Sequence, residues 1–251
     1  MRCSLKVGIA QMPMDWTVEG NTKTICNIVT KNHELDVLVF PELAITGFHR
    51  DIKNQAQQHL VENALNEISI QCQLSNTLVF VGYPLNENNK VYNVYSAINE
   101  QGTLEIVWRK VGLTPSECTF FESGDKRSIL EHPLGTFSSY LCREASDVNW
   151  VVEQLSVQSP SYILWPSYIG QPESSVNTES TNYEEDSKKI AQSLSAMVIQ
   201  CNWPNSLNNL NDNGLGGSKI ISSHGNTIAQ LPFDKTCIGV FDTMTHELVI
   251  R

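Results

Sequence analysis

Basic residues are scarce in this sequence, and their scarcity argues against two broad groups of partners. The chain has 17 Lys and Arg residues against 27 Asp and Glu residues, which gives a formal net charge of -10 at pH 7. Nucleic acids and anionic membranes attract proteins through clusters of Lys and Arg, and an acidic chain lacks that attraction. We therefore expect no nucleic-acid and no membrane partner, and a small molecule as the ligand.

The sequence also lacks the residue spacings that hold common cofactors. Its seven cysteines are odd in number and form no C-x-x-C pair, and its six histidines show no metal-ligand spacing. Neither a G-x-G-x-x-G nor a G-x-x-x-x-G-K-[ST] segment occurs. These absences predict reduced thiols in a cytoplasmic protein that needs no metal, nucleotide or flavin.

No long apolar run opens the chain. Residues 1–10 alternate between polar and apolar side chains as a β-strand does. A signal peptide or membrane anchor needs a continuous apolar stretch, so we expect neither at this end.

What the 251 residues do contain is an alternation of apolar strands and amphipathic helices, with a hydrophobic content of 41%. That content suffices for a packed core, and we expect one domain over residues 1–251. The two β-rich halves predict an α/β fold of two packed sheets with helices outside. A polar loop is expected at 170–186. The predicted strands are 1–10, 36–40, 77–81, 91–98, 103–108, 128–130, 136–141, 162–166, 197–203, 218–222, 227–231 and 236–241, and the helices 21–32, 56–74, 148–155 and 185–196.

One cysteine occupies a position that suits a nucleophile. Cys142 ends an extended run and is followed by a helix, with Ser146 or Asp147 as candidate N-cap. Amide donors at such a turn favour a thiolate and a developing oxyanion. A buried, inert cysteine is the alternative, and on this stretch alone it is the favoured one.

Three ionisable residues have comparable placements. Glu42 follows the apolar strand 36–40, and a hairpin leads into a loop that carries Lys110 and Glu117. Taken singly, each has an ordinary interpretation, as a solvated strand end or as a surface ion pair.

Together these segments form an ordered set. Phe40–Phe48 contains Glu42, Trp108–Gly124 contains Lys110 and Glu117, and Leu141–Glu144 contains Cys142. In order and spacing they resemble the motifs of the nitrilase superfamily of carbon-nitrogen hydrolases, and the likeness runs from residue 6 to residue 242. Segments 163–167, 198–202 and 217–226 resemble further parts of that family.

The resemblance implies a fold, a site and a reaction. The fold is an αββα sandwich, and the site is a Glu42–Lys110–Cys142 triad with Glu117 as a fourth polar member. The reaction is hydrolysis of an amide or carbamoyl compound through a thioester on Cys142, with nitrile hydrolysis as an alternative. Candidates for oxyanion or substrate binding are Arg143, Glu144, Phe48 and Pro166.

The resemblance also implies a homodimer or higher homo-oligomer, formed partly by the helix after Cys142. On that helix Trp150 lies about 200° from Val148 at roughly 100° per residue, away from the apolar stripe. An outward tryptophan of this kind would meet its own mate across a two-fold axis.

Some positions depart from the family pattern. Arg143 and Glu144 lead into Ala-Ser-Asp rather than the usual aromatic and Phe-Pro-Glu segment, and Gly112 stands where the family has histidine. Gln192–Ala196 replaces an arginine and glutamate motif. These departures leave open a non-catalytic binding protein that keeps the fold. A separate alternative is a redox-sensing protein in which Cys142 pairs with Cys118.

Overall fold

Two mixed β-sheets with parallel strands at their centres form the middle of the molecule. The computed structural model describes residues 4–176 and 182–251. Within this part of the chain the strands are β1 (Lys6–Gln11), β2 (Val37–Val39), β3 (Leu78–Glu87), β4 (Lys90–Ile98), β5 (Leu104–Arg109), β6 (Leu130–His132), β7 (Gly135–Ser139), β8 (Tyr162–Ser167), β9 (Met197–Asn202), β10 (Lys219–Ile221), β11 (Thr227–Gln230), β12 (Cys237–Asp242) and β13 (Leu248–Ile250). The α-helices are α1 (Val18–Lys31), α2 (Ile52–Gln55), α3 (Gln58–Ser75), α4 (Val148–Leu155) and α5 (Tyr183–Leu194).

The first sheet has the strand order β13-β12-β1-β2-β3-β4-β5, and the second has the order β11-β10-β9-β8-β7-β6. In the first, β1, β2 and β3 are parallel, and in the second, β7, β8 and β9 are parallel. Antiparallel strands extend each trio on both sides. The two halves of the chain therefore repeat one arrangement.

Successive side chains on the central strands point to opposite faces of the sheet, so they pack in different layers of the core. On β2, Val37 and Val39 pack between the sheets, whereas Leu38 faces α1 and α3. On β8, Leu164 packs between the sheets, whereas Trp165 faces α4 and α5. This layering confirms the expected αββα sandwich.

Most predicted elements are present, and two short ones were missed, α2 and β13. The strand predicted at 128–130 lies instead at Leu130–His132. The Ser128 carbonyl accepts hydrogen bonds from side chains, namely from Trp108 Nε1 at 2.9 Å and from Ser138 Oγ at 2.8 Å. The strand therefore begins after Ser128. The polar loop predicted at 170–186 falls partly on residues 177–181, outside the described residues.

Trp150 is not free on the surface of α4. Its ring is partly buried against the layer between the second sheet and its helices, and the Arg127 guanidinium lies 5.7 Å from the ring centroid. The prediction that Trp150 points outward is therefore correct only in part, because the Arg127 side chain covers some of the ring.

Chain direction brings the candidate residues together. Strands β2 and β5 run the same way in the first sheet, so the Phe40–Gly47 loop and Lys110 leave from the same edge. At that edge the chain packs closely, because a Cβ on Gly82 would lie 2.5 Å from the Leu43 nitrogen. The second sheet delivers Cys142 after β7.

Phe80 tests the packing between the sheets. Its ring lies 5.1 to 6.4 Å from the rings of Phe137, Trp108 and Tyr95 and is fully buried. We expect Phe80→Ala to lower the free energy of unfolding by about 3–5 kcal/mol, because a large cavity remains. Urea denaturation followed by circular dichroism measures it. Leu74→Ala, at a side chain 75% exposed, is the control, with an expected change within about 0.5 kcal/mol. A loss under about 1 kcal/mol for Phe80→Ala would contradict this packing.

Candidate active site

A buried ammonium group forms the centre of the site. Lys110 is 0% exposed, and its Nζ donates to Glu42 Oε1 at 2.8 Å and to Glu117 Oε1 at 2.7 Å. The two carboxylates come from residues 68 and 7 positions away in sequence. Strand ends of one sheet and the loop after β5 therefore form one ion cluster.

Neighbouring groups hold the two carboxylates in place. Asn93 on β4 donates its Nδ2 to Glu42 Oε1 at 2.8 Å and to Glu117 Oε1 at 3.2 Å. The Thr114 N–H donates to Glu117 Oε2 at 2.8 Å, and Trp203 Nε1 donates to the Glu42 carbonyl at 2.8 Å. Glu42 Oε2, by contrast, is buried and has no hydrogen bond to any described residue. It is an acceptor available for a proton.

Burial and neighbouring charge set the protonation states. Burial raises the pKa of Glu42 and nearby Glu117 raises it further, although Lys110 opposes both. Burial alone would lower the pKa of Lys110, but the Glu42 and Glu117 carboxylates raise it above its usual value. Lys110 is therefore a permanent cation, and Glu42 has a higher proton affinity than an exposed glutamate.

Cys142 sits on a strained turn. Its backbone φ is +50°, a left-handed value that a residue with a Cβ rarely adopts. Trp165 Nε1 donates to its carbonyl at 2.9 Å, and the thiol donates to the Tyr168 carbonyl at 3.7 Å. A short 3₁₀ helix, Cys142–Ser146, follows before α4. The tertiary contacts thus hold the cysteine in an unusual backbone conformation.

The thiol is neutral in this arrangement. Burial raises the pKa of Cys142 and the Glu42 charge raises it further, while Lys110 lowers it. The turn was expected to favour a thiolate, but the loss of solvent outweighs that effect. A neighbouring base is therefore needed to remove the thiol proton during a reaction.

Glu144 does not face a cavity, which corrects its assignment as a substrate-binding residue. It is 0% exposed, and its carboxylate accepts N–H bonds from Leu141 at 2.6 Å, Val111 at 2.5 Å and Gly112 at 3.0 Å. The Arg127 guanidinium pairs with it at 2.5 Å. One carboxylate therefore links the segment after Lys110 to the turn before Cys142.

The charge on Glu144 depends on these partners. Burial would raise its pKa, but the Arg127 charge and the backbone N–H donors lower it below the usual value. A lowered folded-state pKa adds stability that is present above the unfolded value of about 4.3. That stability is lost as the pH falls through the folded-state value.

Arg143 packs over Gly112 beside Asp147. Its guanidinium pairs with Asp147 at 2.9 Å, and its side chain is 27% exposed. A Cβ on Gly112 would lie 2.5 Å from Asp147 Oδ2 and 2.7 Å from Arg143 Nη1. A side chain at position 112 would therefore require the ends of the Arg143 and Asp147 side chains to move.

A cavity of about 420 Å³ lies against the ion cluster. Glu117 and Tyr168 line it, and the Tyr168 carbonyl is the group that the Cys142 thiol contacts. Phe48 also lines it and stacks on Tyr168 with ring centroids 5.2 Å apart. The cavity therefore adjoins the ion cluster at Glu117 and lies next to the residue whose carbonyl contacts the thiol, although Cys142 itself does not line it.

The structure brings most, but not all, of the expected residues together. Glu42, Lys110 and Glu117 form the cluster beside Cys142, and Phe48 lines the cavity. Pro166, within β8 and paired with Cys201 on β9, is buried and is not among the residues that line that cavity.

Four residues that contact the site or its supporting turn were not predicted from the sequence: Asn93, Arg127, Tyr168 and Trp203. Only Asn93 carried a sequence signal, as a lone amide in the apolar strand 91–98.

Residues 4–176 and 182–251 contain neither a membrane-spanning helix nor a metal-binding cluster. No helix there is both long and apolar enough to cross a membrane. No group of three or more His, Cys, Asp or Glu side chains there has an arrangement that could hold a metal ion.

The fold and the glutamate, lysine and cysteine side chains together define a nitrilase-like sandwich. A family model described as carbon-nitrogen hydrolase matches residues 6–247. The chain belongs to the carbon-nitrogen hydrolase family. Curated proteins of known function gave no match.

Solved structures share the fold at low sequence identity. A variant of an amidase from Nesterenkonia, of the nitrilase superfamily, superposes with a TM-score of 0.80 at 16% identity, covering 95% of this chain and 90% of that one. Another variant of that amidase, with the acetamide moiety of fluoroacetamide attached to its active-site cysteine, gives 0.80 at 16% identity over 95% and 89%. A glutamine-dependent NAD+ synthetase from Acinetobacter baumannii gives 0.79 at 20% identity, over 99% of this chain and 48% of that chain.

The Arg127–Glu144 pair can be tested by removing the cation. We expect Arg127→Met to lower the free energy of unfolding by about 3–5 kcal/mol, because it leaves a buried charge unpaired. We also expect the rate at which iodoacetamide alkylates Cys142 to change at least threefold, because the turn loses its support. Urea denaturation and peptide mapping by mass spectrometry measure these effects.

The control for this variant is Lys189→Met. It breaks an ion pair with Asp186 in which the lysine is 62% exposed, so the expected loss is under about 1 kcal/mol. Alkylation of the exposed Cys118 serves as an internal reference in both variants. If Arg127→Met and Lys189→Met had equal effects on the free energy of unfolding and on Cys142 alkylation, the Arg127–Glu144 pair would not be what supports the Cys142 turn.

Proposed function

We propose that this protein hydrolyses the carbon-nitrogen bond of a small amide or carbamoyl compound through a thioester on Cys142. The observation that carries the proposal is the state of Glu42. One carboxylate oxygen is held by Lys110 and Asn93, while the other is buried, unpartnered and within electrostatic range of the thiol. A carboxylate with raised pKa beside a neutral thiol suits a general base.

In the first half-reaction, Glu42 takes the thiol proton as the Cys142 sulfur attacks the carbonyl carbon. The carbonyl oxygen becomes an oxyanion, stabilised by the Lys110 ammonium and by the backbone N–H of Arg143. When the carbon-nitrogen bond breaks, the leaving nitrogen takes the proton from Glu42. The products of this step are a thioester on Cys142 and ammonia or an amine.

In the second half-reaction, Glu42 removes a proton from a water molecule as that water attacks the thioester. Collapse of the second oxyanion breaks the carbon-sulfur bond, and the proton returns from Glu42 to the sulfur. The acid leaves and the free thiol is restored. Glu117 has no proton to transfer in this scheme, and its role is to hold Lys110 and Thr114 in place.

The family and its structural neighbours support this choice among the open functions. The neighbours include an amidase that carries a covalent adduct on its cysteine. A binding protein that had lost catalysis would gain nothing from burying three ionisable side chains beside a thiol, since each costs desolvation energy. We propose a cytoplasmic location on the basis of the unpaired cysteines.

The covalent mechanism predicts that Cys142→Ala abolishes turnover while the fold stays intact. Ammonia release from small amides, ureido acids and nitriles identifies a substrate, and intact-mass spectrometry then detects an acyl adduct on the native protein. Activity in Cys142→Ala above a tenth of the native value would exclude the thioester.

Glu42→Gln is the companion variant, because it keeps the size and removes the base. We expect it to lose acylation and to keep the native secondary structure, with a lower melting temperature because the buried Lys110 ammonium loses one of its two carboxylate partners. A native protein inactive on all three substrate classes would favour the binding function. A Cys142–Cys118 disulfide after mild peroxide would favour the redox function.

We further propose a homodimer that includes α4. Val148 and Val152 on this helix are only partly buried, and Trp150 retains exposed surface although Arg127 covers part of its ring. Partly exposed apolar side chains on one short helix next to the Cys142 turn suit a two-fold contact.

Light scattering coupled to size exclusion should give a mass near twice 28.1 kDa or a multiple of it. Trp150→Glu should lower that mass, because a charge at the contact would be desolvated. Leu74→Glu, on the distant surface of α3, is the control and should leave the mass unchanged. A monomer at all micromolar concentrations would refute the dimer.

A further inference from the structure

The cavity beside the ion cluster combines an aromatic wall with cations. Phe48, Phe120, Phe121 and Tyr168 supply the aromatic rings. Arg50, just before α2, and Lys53, on α2, each place a positive charge at the same cavity. An acidic chain with 27 carboxylate side chains thus presents two of its 17 cations on one wall.

Neither cation is neutralised. Within the described ranges, Arg50 and Lys53 form no ion pair with any carboxylate, including that of Asp51 between them. Each is placed over an aromatic ring instead: Arg50 lies 5.4 Å from the Trp16 centroid, and Lys53 lies 5.6 Å from that of Phe120. Such contacts orient a side chain without cancelling its charge.

The other titratable groups of the cavity leave the Arg50–Lys53 wall as its positive part. The Glu117 carboxylate accepts hydrogen bonds at both oxygens, from Lys110, Asn93 and the Thr114 N–H, and it shares the single Lys110 charge with Glu42. Burial lowers the pKa of His49, which makes this ring neutral at pH 7. A ligand in the cavity therefore meets unpaired positive charge at the Arg50–Lys53 wall and a hydrogen-bonded carboxylate at Glu117, so a substrate carboxylate is favoured at the wall and disfavoured at the ion cluster.

We propose that the substrate is a short amide or carbamoyl compound with a carboxylate at its far end, bound by Arg50 and Lys53 while its carbon-nitrogen bond reaches Cys142. This rests on the proposed hydrolase function and narrows its substrate class. The cavity volume of about 420 Å³ holds a chain of a few carbons. Binding energy from the remote carboxylate would fix the reacting carbonyl against the thiol.

Matched substrate pairs test the proposal. Succinamate, glutaramate and 3-ureidopropionate are compared with butanamide, pentanamide and N-propylurea, in which a methyl group replaces the carboxylate. We expect kcat/KM for at least one acid to exceed that of its neutral partner tenfold or more. Because the cations are exposed to solvent, 0.5 M NaCl should reduce this ratio.

The double variant Arg50→Gln/Lys53→Gln should lower the acid-to-neutral ratio of kcat/KM at least fivefold, mainly through a higher KM for the acid. Lys23→Gln, which removes one exposed charge from α1, is the matched control and should keep the ratio within twofold. A neutral preference in every pair, or an unchanged ratio in the double variant, would overturn the proposal.

A second measurement separates this proposal from the hydrolase function. Glutarate should protect Cys142 from alkylation by iodoacetamide, whereas pentane-1,5-diol should not, and the double variant should lose the protection. Protection without turnover of any pair would support the anion site and contradict hydrolysis of these substrates. Turnover of the neutral amides without protection by glutarate would support hydrolysis and refute the anion site.

Discussion

The site depends on one buried cation. An ammonium group at Lys110 with no exposed surface is stable only because Glu42 and Glu117 both lie within 2.8 Å of it. Removing either carboxylate would leave a charge that the interior cannot solvate, at a cost of several kcal/mol. Asn93 reinforces the arrangement by donating to both carboxylates from a neighbouring strand. The three charged groups therefore behave as one unit.

The same burial that holds this unit together sets the reactivity of the thiol. Loss of solvent raises the pKa of Cys142 and of Glu42. In the resting site the proton is therefore on the Cys142 sulfur, and the site does not contain a permanent thiolate beside a protonated Glu42. In the proposed reaction, that proton moves to the unpartnered Glu42 oxygen as the sulfur attacks a carbonyl. Such a site resists adventitious oxidation better than a free thiolate does, because the thiolate is the oxidisable form.

The residues after the cysteine form a coherent set. Glu144 links the turn at Leu141 to the backbone at Val111 and Gly112, and Arg127 neutralises it. The ends of the Arg143 and Asp147 side chains lie where a side chain at position 112 would begin. Glu144 thus joins two segments that leave different sheets.

Local pattern was enough to predict the layers and the ends of the strands. The apolar run at 36–40 ends at Glu42, and the extended run at 136–141 ends near Cys142, because burial on both faces of a central strand leaves a readable signal. Tertiary structure alone decided the partners. Glu42 meets Lys110 across 68 residues and Arg127 meets Glu144 across 17, and no periodicity encodes contacts between separate strand ends. The left-handed backbone at Cys142, the raised pKa of its thiol and the cationic wall at Arg50 and Lys53 likewise arise only when the two sheets and their loops pack together.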